Sequence, residues 1–148
     1  GGYWLVAADG GIFTFGDAGF YGSMGASHLN APVVAIGSGG RAGGYWEVGS
    51  DGGIFAFGVP FLGSTGNIGL NRPINGMAVT PDGGGYVLVA SDGGIFNFGD
   101  AGFAGSTGNL ALAAPIVGVA MGPTNAGYWL AGGDGSVFSF GVPFLGGD

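Results

Sequence analysis

Residues able to do acid–base or nucleophilic chemistry are few in this chain: one histidine, His28, one glutamate, Glu47, and neither lysine nor cysteine. A lone loop histidine is ordinarily a solvated side chain rather than a ligand or catalyst. Serines recur as Gly-Ser-x-Gly at Ser23, Ser64 and Ser106. They do not form the nucleophile elbow Gly-x-Ser-x-Gly, because Tyr21, Leu62 and Ala104 hold the first glycine position. Hydrolysis by paired carboxylates needs two acids facing each other across a cleft. The aspartates here come singly, next to glycines, where their default role is to hydrogen-bond the backbone of a turn. The same spacing does not supply the clustered oxygens of a calcium loop. Gly37 to Ala42 has the glycines of a dinucleotide fingerprint but no helix pattern after it. No catalytic residue, no metal site and no cofactor is expected.

The elements that position these residues repeat. Tyr3, Tyr45, Tyr86 and Tyr128 open equivalent segments at spacings of 42, 41 and 42 residues. An aspartate follows each at Asp9, Asp51, Asp92 and Asp134, then Ile/Val-Phe-x-Phe-Gly, a Gly-Ser element and a proline (Pro32, Pro73, Pro115). Each unit reads as four short strands. One follows the proline, the second starts at the tyrosine, and the third is the Phe-x-Phe segment beyond an Asp-Gly turn. The fourth is a short strand around Phe20 to Gly22 and its copies. Strands such as Trp4-Leu5-Val6-Ala7 are apolar on both faces, so they belong in sheets covered on both sides. Stacked copies would supply that cover. The fold expected is an all-β β-propeller of four-stranded antiparallel blades, near 1–31, 32–72, 73–114 and 115–148, the first lacking its innermost strand. All twelve phenylalanines fall at three repeat positions and are expected to pack between blades.

A longer period overlies the first. Units one and three carry Phe-Gly-Asp-Ala-Gly-Phe, and units two and four Phe-Gly-Val-Pro-Phe, so like units recur every 83 residues. This points to duplication of a two-blade unit and an even blade number in a complete ring. Because the first unit opens at its second strand, closure is expected to need another chain or further sequence. Self-association, or membership of a larger propeller, is the corresponding expectation.

Composition removes whole classes of function. With 39 glycines, collagen and disorder must be considered, but glycine has no period of three and 47% of residues are hydrophobic. A net charge of −7 with only two cationic side chains cannot displace counterions from nucleic-acid phosphates, nor dock on anionic lipid. No apolar run reaches the length of a membrane helix, and the apolar stretches lack the long alternation of a membrane barrel. The opening Gly-Gly-Tyr-Trp-Leu-Val reads as strand and not as a signal segment.

The run Pro73 to Asp100, with its Thr-Pro-Asp-Gly and Ser-Asp-Gly turns, resembles the glycine-rich propeller repeats of secreted and surface actinobacterial proteins. It is also similar to YVTN, WD, chromosome-condensation-regulator and tachylectin blades. The resemblance implies blade architecture and an extracellular accessory role, secreted or at the cell surface; the WD dipeptide is absent. In such an architecture the turns between second and third strands share one face with the loops between blades. That face would carry Asp9, Asp51, Asp92, Asp134, His28, Asn30, Asn67, Asn71, Arg72 and Asn109, whose polar groups suit sugar hydroxyls. The expected function is a non-enzymatic binding module for glycan or protein. The alternatives are a structural segment of a fibre or assembly, and an accessory domain of a secreted cell-wall hydrolase.

Overall fold

The computed structural model describes residues 1–40, 43–66, 69–70, 72–107 and 114–142. They form an all-β chain of small antiparallel sheets, and no helix long and apolar enough to cross a membrane occurs among them. The first sheet pairs β1 (Gly2–Val6) with β2 (Ile12–Gly16). The second holds β3 (Val33–Ser38), β4 (Tyr45–Gly49) and β5 (Ile54–Phe57) in that spatial order. The third repeats it with β6 (Ile74–Val79), β7 (Gly85–Ala90) and β8 (Ile95–Gly99). The fourth repeats it again with β9 (Ile116–Met121), β10 (Tyr128–Gly132) and β11 (Val137–Phe140).

Each hairpin between the tyrosine strand and the Phe-x-Phe strand turns by the same local chemistry. In the first, Gly10 N donates to Ala7 O and Ala7 N to Gly11 O, both at 2.9 Å. Gly10 sits at φ +84°, where a side chain would be strained. Asp9 Oδ1 accepts from Gly11 N at 2.9 Å and fixes the turn. Asp51, Asp92 and Asp134 do the same for Gly53, Gly94 and Ser136 at 2.9, 2.9 and 3.0 Å.

The sheets lie against one another in chain order. β3 runs beside β6, and β6 beside β9. A register shift after Ile74 leaves Asn75 outside the ladder, and its Nδ2 donates to Ile116 O of the next sheet at 2.8 Å. The core sits between sheets. Trp46, Tyr86, Leu88, Ile74 and Val48 form one buried cluster, and Val89, Ile116, Tyr128 and Leu130 another.

Two expectations need correction. The fourth strand of each unit does not form, so the sheets have two or three strands and not four. Gly22, Gly63 and Gly105 adopt φ of +128°, +127° and +139°, far from strand geometry. The polar groups of these segments instead meet a tyrosine hydroxyl of the following unit. Tyr45 Oη takes the amide of Tyr21 at 3.0 Å and donates to Gly22 O at 2.5 Å. Tyr86 Oη takes Leu62 N at 3.3 Å and donates to Gly63 O at 2.6 Å. Tyr128 Oη takes Ala104 N and Gly105 N at 2.9 and 3.0 Å and donates to Gly105 O at 2.5 Å.

The second correction concerns the phenylalanines. The wedge between sheets is mainly tyrosine, tryptophan and aliphatic side chains. Phe20, Phe61 and Phe103, one per unit, are 62%, 60% and 60% exposed. They project from the segment that does not join the sheet, so no neighbouring strand covers them. The Phe-x-Phe rings in the second to fourth units are half-buried, and the second ring of each pair lies about 5.7 to 5.9 Å from its cross-strand tyrosine.

Candidate functional site

Two concavities open at opposite ends of the strands. At the end carrying the Asp-Gly turns, a pocket of about 300 Å³ is lined by Asp9, Ser27, His28 and Asn30 together with Ala8, Leu29, Ala31 and Pro32. Val33 N donates to Ala8 O at 2.8 Å, which brings the loop before β3 onto the first hairpin. Three of the residues singled out from sequence (Asp9, His28 and Asn30) thus meet at one pocket. Asp51 and Asp92 lie at the same end of their own sheets, since Ile74 N and Ile116 N bond to Ser50 O and Ser91 O. Asp134 is exposed, and its carboxyl is held below the ordinary range by the Ser136 side-chain and backbone donors. Arg72 is exposed. Asn67, Asn71 and Asn109 lie outside the described residues.

The larger concavity was not foreseen. A groove of about 780 Å³ lies at the far ends of β3 and β6, walled by Ile36, Met77 and Val79 and rimmed by Ser38 to Gly40 and Thr80 to Gly83. A polar cluster stands at this rim. Thr80 Oγ1 reaches Asp82 Oδ1 at 2.9 Å and Asp100 Oδ1 at 3.0 Å. Asn125 Nδ2, from the fourth unit, donates to Asp82 Oδ2 at 3.0 Å and Asp100 Oδ2 at 3.3 Å. Two carboxylates this close do not ionise independently. The hydrogen bond from Asp100, joined by Gly84 N, Thr80 and Asn125, lowers the Asp82 carboxyl well below the usual range. The same hydrogen bond raises that of Asp100, so Asp100 holds the proton they share.

The sequence contained one clue to this cluster. Asp17 and Asp100 stand at equivalent positions of units one and three. Only unit three combines that aspartate with a Thr-Pro-Asp-Gly turn and an asparagine from the next unit.

A third acidic group is interior. Glu47 is fully buried on β4, and among the described residues neither carboxyl oxygen has a hydrogen-bond partner. Burial pushes its carboxyl up to about 7, helped by the nearby Asp9 charge. The other three units carry Leu5, Leu88 and Leu130 at this position.

Chemically, the two open sites offer hydroxyl, amide and carboxylate groups that can exchange hydrogen bonds with a polar ligand. Among the described residues no group of three or more His, Cys, Asp and Glu side chains is placed to hold a metal ion. In comparison with known proteins, the chain matches no family model and no curated protein.

Proposed function

We propose that this chain is a non-enzymatic, extracellular binding module built of propeller-type blades, and that its ligand is a glycan. The observation that carries the reading is the groove between β3 and β6. Its walls are apolar, and Asp82, Thr80 and backbone groups converge at its rim. A saccharide presents the matching chemistry, with apolar C–H faces and hydroxyls that donate to carboxylates. The blade reading is supported by the in-order contact of β3, β6 and β9 and by seams made of the same parts each time. The extracellular setting rests on the resemblance of the repeat to secreted and surface proteins. Scarcity of acid–base side chains supports the non-enzymatic role.

Binding to an immobilised glycan panel tests the proposal. The wild-type chain is expected to retain a subset of glycans, and Asp82→Ala to lose them by roughly tenfold or more in affinity. Loss caused by His28→Ala and Asn30→Ala, with Asp82→Ala unaffected, would move the site to the smaller pocket. Absence of binding to any glycan would overturn the reading.

A further inference from the structure

We propose that the exposed face of the β1–β2 sheet is a docking surface for a second copy of this chain, whose fourth unit covers it as each unit here covers the next. The inference stands apart from the glycan reading and needs no ligand.

It rests on one face seen four times. Cross-strand pairing puts Tyr3 and Leu5 beside Phe15 and Phe13 on one side of the sheet. The equivalent sets are Tyr45, Glu47, Phe57 and Phe55, then Tyr86, Leu88, Phe98 and Phe96, then Tyr128, Leu130, Phe140 and Phe138. In those three sets the tyrosine and its companion two residues on are fully buried. In the first, Tyr3 is 57% and Leu5 53% exposed, with Phe13 and Phe15 at 55% and 41%. An uncharged patch of this kind, two rings and a leucine beside a tyrosine, marks an interaction site.

The internal seams specify what fits it. Each covers the face with the preceding unit's tryptophan strand and Gly-Ser element. The Trp4 ring meets Tyr45 at 5.4 Å, and Trp46 meets Tyr86 at 5.3 Å. Gly22, Gly63 and Gly105 press so closely on Phe57, Phe98 and Phe140 that a β-carbon would come within 2.7, 2.5 and 2.5 Å of the ring. The partner for Tyr3 is therefore a strand with tryptophan at the position of Trp46. Within this chain the fourth unit carries it, as Trp129 on β10, with no following unit among the described residues. The contact joins two different faces, so it is heterologous and propagates head to tail until a ring closes.

Sedimentation velocity and native mass spectrometry over a concentration series of the 148-residue chain test this. Mass is expected to rise with concentration in whole-chain multiples. Tyr3→Phe, which removes only the hydroxyl, should weaken association about tenfold. Leu5→Glu on the receiving face and Trp129→Glu on the presenting face should each leave a monomer. Mixed together, these two variants should form a one-to-one dimer, because each retains the face the other lacks. If Trp129→Glu loses its far-ultraviolet circular dichroism, Ala131→Glu, exposed on the same side of β10, takes its place. A chain monomeric at every concentration, a mixture that does not pair, or a dimer untouched by the changes on β10 would overturn the proposal.

Discussion

At position 47 a carboxylic acid occupies a site that the other units fill with leucine, and its surroundings were built for leucine. The group faces the first sheet, where a β-carbon added at Gly10 would come within 3.1 Å of Glu47 Oε2. Deprived of solvent and of donors, the carboxyl holds its proton to about 7 in place of 4.5. The unfolded chain releases that proton near 4.5, the folded chain only near 7. Between those values the folded state binds more protons, so stability falls as pH rises and is fully present below the window. The loss attributable to this group is on the order of 2–3 kcal/mol by pH 8. Urea unfolding of Glu47→Leu should show that much less decline from pH 4.5 to 8 than the parent. A variant that keeps the parent's slope would mean that other groups carry the pH dependence.

Among elements, the short segment between each Phe-x-Phe strand and the next proline is the most instructive. Its apolar residues and strand-like length read as a fourth strand, yet the chain uses it as a socket. What decides is the backbone: Gly63 at φ +127° cannot continue a ladder, and Tyr86 offers a hydroxyl that satisfies both an amide and a carbonyl. Tyr86→Phe should cost about 1–3 kcal/mol, since it orphans backbone groups at a buried seam. Gly63→Ala should cost at least about 2 kcal/mol, combining a strained φ with a clash on the Phe98 ring. Thermal or urea denaturation of both variants checks the ranking, and a neutral Gly63→Ala would mean that the socket is not tightly packed. The tyrosine spacing made the repeats legible, and the Asp-Gly turns made the hairpins so. The sockets were hidden because a tyrosine hydroxyl bonding across a distance of 23 or 24 residues leaves no local pattern.

For the molecule as a whole, each sheet is held chiefly by its neighbours in the chain, so stability should vary along it. The first sheet has two strands and one uncovered face. β7 is buried along its whole length between flanking strands and flanking sheets. Hydrogen exchange of the dilute chain should therefore release the amides of β1 and β2 first and those of β7 last. Uniform protection across all four units would contradict this nearest-neighbour picture. At this scale the sequence was again informative in part. The aspartates and loop residues of the small pocket could be grouped because turns and connections fall at one end of each unit. The larger groove and its Asp82–Asp100 pair depend on how three separate turns approach one another, which no spacing in a single unit encodes.

The tyrosine-to-glycine clasp carries one more implication. Every seam uses the same hydroxyl, the same backbone acceptor and the same close glycine, so no junction depends on its place in the order. Loss or gain of 83 residues, one period of the alternating units, would bring Tyr128 to the socket at Gly22 or insert further copies between them. Such a gene can change its copy number by unequal recombination and still encode a chain whose parts interlock, with length free to drift while the joint stays constant.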